Sequence, residues 1–226
     1  YIYQARLALL YLLQLPEDTA VFLEKDDDLD FVDRDGGKSL ASLKHKAVGD
    51  KLTDLSTDFW KSVNIWLARY KRDGRAASNL RFFLFTTGTV SSKSFLNRFL
   101  PDQQGVSGDP ATLTKLVDAA LDKSDSTLIG KIAKVYNELS VSEKHDFLER
   151  ILILDGSPRI GDIPATIKDK YMRTVRREHR AFVFERLEGW WNDATIKQLI
   201  GAGTEGIFGY EVSDKLSAFA EEYKAD

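Results

Sequence analysis

Between Asn79 and Thr87 the chain reads Leu-Arg-Phe-Phe-Leu-Phe, and no other stretch restricts the fold as much. A near-continuous apolar run of this kind reads as a strand buried on both faces, which requires a sheet covered by helices. The flanking segments supply such helices. Residues 2 to 15 carry Ile2, Arg6, Leu9, Leu10 and Leu13 at helical spacing, and Pro16 stops them. Residues 54 to 72 place Leu55, Phe59, Val63, Trp66, Leu67 and Tyr70 on one stripe. Between them lie strand candidates at 20–24, 28–33 and 38–46, and the turn Arg34-Asp-Gly-Gly37 predicts that the last two form a hairpin. The order αβββαβ predicts the α/β class, a mixed sheet with helices packed on it.

The stretch from Pro101 to Pro110 is rich in Gly, Gln, Asp and Ser and reads as a boundary between a core at 1–100 and a mainly helical, partner-binding extension at 111–226. The extension predicts helices near 111–122, 126–139, 141–151, 162–174, 177–199 and 211–223, with a short strand at 151–154. Ser140 and Glu143 have capping-box spacing. The absence of cysteine excludes disulfides, thiolate zinc sites and a Cys nucleophile, and fits a reducing cytoplasm. No apolar run approaches the ~20 residues that cross a bilayer. A net charge of −3 confines any nucleic-acid contact to a local patch. Gly201-Ala-Gly203 lacks a following Lys-Ser/Thr, so no phosphate-binding loop and no ATPase activity are expected. The chain opens on Tyr1 rather than Met, as a fragment of a longer protein would.

Charge is densest in the first 46 residues. Glu24 ends the first strand, Asp26, Asp27 and Asp28 follow, and Ser42 and Lys44 ride on the third. Because strand side chains alternate faces, Ser42, Lys44 and Lys46 share one face, and Asp28 and Asp30 share one face of the second strand. A hairpin is therefore expected to set Asp28 beside Lys44. Phosphodiester hydrolysis needs a hard cation to polarise phosphate and acidify a water. Mg²⁺ is held by one or two carboxylates, which Asp28 with Glu24 or Asp27 would supply. An ammonium such as Lys44 orients the water and stabilises developing charge.

Three runs, Gln4-Ala-Arg-Leu-Ala-Leu-Leu, Glu24-Lys-Asp-Asp-Asp-Leu29 and Ser42-Leu-Lys-His45, resemble the PD-(D/E)xK double-stranded-DNA endonuclease domain of bacterial anti-phage defence effectors, whose relatives accompany nucleotidyltransferases and STAND, HerA-type or ABC ATPases. The stretch Asp54 to Trp66 and Phe85-Thr-Thr87 are similar to it as well. The resemblance covers roughly residues 1 to 90. It implies a restriction-endonuclease-like fold that cuts double-stranded DNA with Mg²⁺ or Mn²⁺, works as a homo-oligomer, and answers to a sensor or ATPase partner. It assigns metal binding to Asp28, with Glu24 and Asp27. Lys44 is assigned catalysis, with Ser42 and Gln4 as further site positions. Ser42 stands where the family carries Gln or Glu, and a hydroxyl is a weaker metal ligand than a carboxylate. The rival expectation is a degenerate nuclease fold that binds DNA or a partner without cutting.

Plainer roles compete at several positions. The acidic triplet alone reads as a solvated turn, and Lys44 alone as an edge-strand lysine that deters aggregation. Lys46, Arg173, Arg177 and Arg180 are the candidate DNA contacts. The spacing of the three arginines predicts one helix face, and a solvated face paired with Glu178 and Glu185 explains them equally simply. His45, His145 and His179 lack ligand-spaced partners and read as structural. Trp60, Trp66, Trp190 and Trp191 read as core anchors.

Overall fold

The computed structural model describes residues 1–103, 109–202 and 206–223. It divides the chain into two compact units, Tyr1–Lys38 with Pro158–Asp226, and Ser39–Ser157. Part of the stretch read as a boundary, 104–108, lies outside the described residues. Its flanks belong to the second unit, so the compact units divide the chain at other points than the 101–110 segment.

The first unit contains helices α1 (Ile2–Leu12), α6 (Ile163–Tyr171), α7 (Arg180–Leu199) and α8 (Gly209–Glu221). Its strands are β1 (Ala20–Leu23), β2 (Leu29–Val32) and the two-residue β8 (Ile207–Phe208), in the order β8-β1-β2. β1 and β2 are antiparallel, with Ala20 opposite Val32 and Leu23 opposite Leu29. α1 packs on α6, α7 and β1. Its Leu7, Leu9, Leu10 and Leu12 are almost wholly buried, which makes it a central helix rather than an amphipathic surface one. After β2 the chain turns as expected. Asp33 accepts hydrogen bonds from the backbone of Asp35 and Gly37, while Gly36 takes a positive φ of 80° that suits glycine.

The second unit carries β3 (Lys38–Lys44, its first residue counted with the first unit), β5 (Leu80–Thr86) and β7 (Ile151–Leu154), in the order β7-β5-β3. β5 and β7 run parallel, with Phe82 opposite Ile151. A small parallel pair, β4 (Lys51–Leu52) and β6 (Thr89–Val90), stands apart. The helices are α2 (Thr57–Arg72), α3 (Pro110–Asp122), α4 (Thr127–Tyr136) and α5 (Val141–Glu149). The chain is thus α/β, with antiparallel pairing in one unit and parallel pairing in the other. The apolar run from Leu80 is the strand β5, with Leu80, Phe82 and Leu84 in the core. Trp66 stacks on Phe82 with ring centroids 5.6 Å apart, and Phe147 meets both Phe82 and Tyr70. Ser140 and Glu143 form the expected reciprocal cap of α5.

Trp66 is fully buried, so Trp66→Ala should lower unfolding free energy by about 3–5 kcal/mol. Urea denaturation measures this, and a loss below about 1 kcal/mol would remove the α2–β5 contact from the centre of this unit's core.

Candidate functional site

Three side chains of the first unit meet at one nitrogen. Gln4, in the first turns of α1, donates through Nε2 to Glu24 Oε1 at 2.6 Å and to Asp28 Oδ1 at 3.0 Å. Glu24 is exposed and Asp28 half-buried, whereas Gln4 Oε1 is buried and accepts no hydrogen bond among the described residues. The carboxylates converge because the β1–β2 connection is tight. The Glu24 N–H donates to the Asp28 carbonyl at 3.1 Å, and Glu24 adopts φ 54°. That left-handed conformation costs a non-glycine residue about 1–2 kcal/mol. Gln4 is fixed from the other side by α1. Trp191 Nε1 donates to the Ala5 carbonyl at 2.7 Å, and the Arg6 guanidinium holds Glu188 and the Ile160 carbonyl. The Tyr1 hydroxyl meets Thr195 at 2.6 Å.

Asp27 does not join this pair as a third ligand. Its carboxylate accepts from the Asp28 backbone at 2.9 Å, stabilising the turn. Among the described residues no group of three or more His, Cys, Asp or Glu side chains is placed to hold a metal ion. Glu24 and Asp28 remain as two carboxylates aimed at one point. That donor set fits Mg²⁺ or Mn²⁺, which keeps waters and takes substrate oxygens for the rest of its shell.

A second charged cluster lies beneath the turn, and sequence reasoning passed over it. Lys38 contacts Asp26 and stands 3.0 Å from Asp30, whose side chain is fully buried. Burial raises the Asp30 carboxyl to about 6. The Lys38 ammonium opposes that rise, and Asp26 adds to it. For Lys38, burial lowers the pKa, but its contacts with Asp26 and Asp30 outweigh this and hold it above its ordinary value. The 33–37 turn brings Lys38 back toward Asp30, so counting outward from that turn would have revealed the pair.

In the second unit Ser42 sits mid-strand on β3 with no exposed surface. Lys44 ends that strand half-buried, and its carbonyl accepts from the Thr87 N–H at 3.2 Å. Lys46, expected to contact DNA, forms an ion pair with Asp58. The three arginines do not share a helix face. α6 ends at Tyr171, leaving Arg173 in a turn, Arg177 lies in a short 3-10 segment, and Arg180 opens α7. The Arg180 guanidinium donates to the carbonyls of Val175 and Arg173, which holds the connection between α6 and α7 in its non-helical course. Trp60, Trp66 and Trp191 are buried, as expected of core anchors, whereas Trp190 is half-buried. Gly203 lies outside the described residues. Among the described residues no helix is long and apolar enough to cross a membrane.

No family model matches the chain, and no curated protein matches it. Solved structures do. The Cap4 SAVED/CARF-domain containing receptor of Acinetobacter baumannii, solved with the cyclic trinucleotide 2'3'3'-cAAA, superposes with a TM-score of 0.55 at 13% identity, over 97% of this chain and 44% of that one. The corresponding receptor of Moraxella osloensis gives 0.52 at 14% identity, over 99% of this chain and 49% of that one. The fold is shared. Nearly the whole of this chain is matched, and it spans about half the length of either receptor.

A carboxyl with a higher pKa folded than unfolded holds its proton more tightly when folded. Ionisation of Asp30 therefore costs stability as pH rises through about 6, and the cost disappears below its ordinary value of 3.8. Relative to Asp30→Asn, the wild type should gain on the order of 1–3 kcal/mol as pH falls from about 7 to 4. Urea unfolding of both proteins across that range measures the difference. A constant difference would mean that Lys38 keeps Asp30 ionised throughout.

Proposed function

We propose that the chain is a metal-dependent double-stranded-DNA endonuclease domain belonging to a longer anti-phage defence protein. The observation that carries this reading is the meeting of Glu24 and Asp28 at Gln4 Nε2. It supports the reading because the motif resemblance assigns metal binding to both carboxylates. Mg²⁺ or Mn²⁺ bound by Asp28 and Glu24 would polarise a phosphate oxygen and lower the pKa of an attacking water. Gln4 orients the two carboxylates, and Lys44 takes the role of stabilising charge that develops on phosphate. Lys46 is already paired with Asp58 and the arginines are dispersed, so DNA contact rests on fewer cations than the sequence suggested.

The defence setting is supported by the fold shared with Cap4 receptors. Those chains are about twice as long as this one, which accords with a partner segment that senses a signal and releases cleavage. Homo-oligomerisation and a cytoplasmic location belong to the same proposal. Ser42 favours a second reading, a nuclease-fold module that binds DNA or a partner without cutting. Its hydroxyl replaces a Gln or Glu and is completely buried.

Plasmid cleavage with Mg²⁺ or Mn²⁺, at protein concentrations that allow self-association, separates the two. Asp28→Ala and Lys44→Ala should each reduce cleavage by about 10²-fold or more while the circular-dichroism spectrum stays unchanged. Undiminished cleavage by either variant would remove that residue from the chemistry. Metal-independent DNA retention without cleavage, by the wild type in the company of its full-length protein, would establish the binding module.

A further inference from the structure

Gln198, in the last turn of α7, lies against the outer edge of β1. Its Nε2 donates to the Val21 carbonyl at 3.0 Å, and its Oε1 accepts from the Leu23 N–H at 2.9 Å. β8 pairs with β1 only at Ala20 and Val21. In an extended strand the carbonyl of one residue and the N–H two residues on point to the same side, where a neighbouring strand would present its own N–H and C=O groups. The Gln198 carboxamide presents the same donor and acceptor, so it continues the β1 edge where β8 has ended.

The position of this graft matters for the residue that follows. Leu23 immediately precedes Glu24, which turns into the left-handed region at φ 54° and closes onto the Asp28 carbonyl. Thus Gln198 holds the last extended residue before the turn, and Gln4 holds the carboxylates after it. An apolar side chain at 198 would leave the Val21 carbonyl and the Leu23 N–H without these partners, and the strand end held from the β2 side alone.

We infer that Gln198 is a positioning residue for the Glu24–Asp28 pair, acting through the β1 backbone to keep both carboxylates aimed at one cation. The inference rests on the cation-site reading above. Groups that orient metal ligands from behind typically change metal affinity by about 10–100-fold when removed.

The test is Mn²⁺ binding by the purified chain, followed by loss of the free-ion electron paramagnetic resonance signal. Wild type, Asp28→Ala, Gln198→Leu and Gln198→Glu are compared, with hydrogen exchange measured on the segment that contains Leu23. Gln198→Leu should bind Mn²⁺ about tenfold more weakly while folded, and exchange faster at that segment. Gln198→Glu keeps the acceptor for Leu23 and loses the donor for Val21, so it should fall between; if the leucine variant does not fold, this one carries the comparison. Unchanged Mn²⁺ affinity in a folded variant, with only a lower melting temperature, would overturn the positioning role and leave Gln198 as an edge cap. Wild-type binding no tighter than that of Asp28→Ala would overturn the cation site itself, and this inference with it.

Discussion

Trp191 donates its indole N–H to the carbonyl of Ala5, one residue beyond Gln4, and the direction of the Gln4 side chain depends on the burial that this contact seals. A helix buried along its length, as α1 is, has little freedom to slide or rotate, because protein interiors are close-packed and a displaced side chain finds no space. The indole, the Arg6–Glu188 pair and the Tyr1–Thr195 contact all tie the same helix to α7. With α1 fixed, a short polar side chain on it becomes a reliable donor for two carboxylates from a separate hairpin. A glutamine on a loop would spend its conformational entropy to do the same.

Two groups of charge in the first unit serve different ends. The Asp26–Lys38–Asp30 cluster is largely withdrawn from water, with one ammonium between two carboxylates. Charges placed so are expensive to bury and costly to orphan, which makes them suited to fixing the hairpin rather than to binding a ligand. Glu24 and Asp28 remain nearer solvent and are held by an uncharged amide.

The receptors that share this fold do so at 13–14% identity. What such distant chains have in common is the placement of buried elements. Core positions accept many apolar substitutions when pattern and volume persist. The fold likeness therefore supports an architecture, while chemistry depends on a few polar side chains that packing leaves unconstrained.

The order and type of the longer elements were set by local pattern: the apolar run of β5, the stripe of α2, the Pro16 stop, the Asp33–Gly37 turn and the α5 cap each act over a few residues. The acidic turn was legible for the same reason, its residues being neighbours in sequence. The two-residue strands β4, β6 and β8 were not, because two residues carry no period. Nor was the capture of the Val175 and Arg173 carbonyls by the Arg180 guanidinium, which fixes the segment between α6 and α7. Gln198 meets Val21 and Leu23 only when α7 packs beside β1, and hydrogen bonds across 175 and 177 residues leave no trace in local spacing. The sequence by itself determined which segments are helix or strand and where acidic side chains gather, because those follow from short-range sterics and hydrophobic period. Only the tertiary structure decided which carboxylates are buried and which meet at Gln4, because burial and pairing depend on what the rest of the chain brings against them.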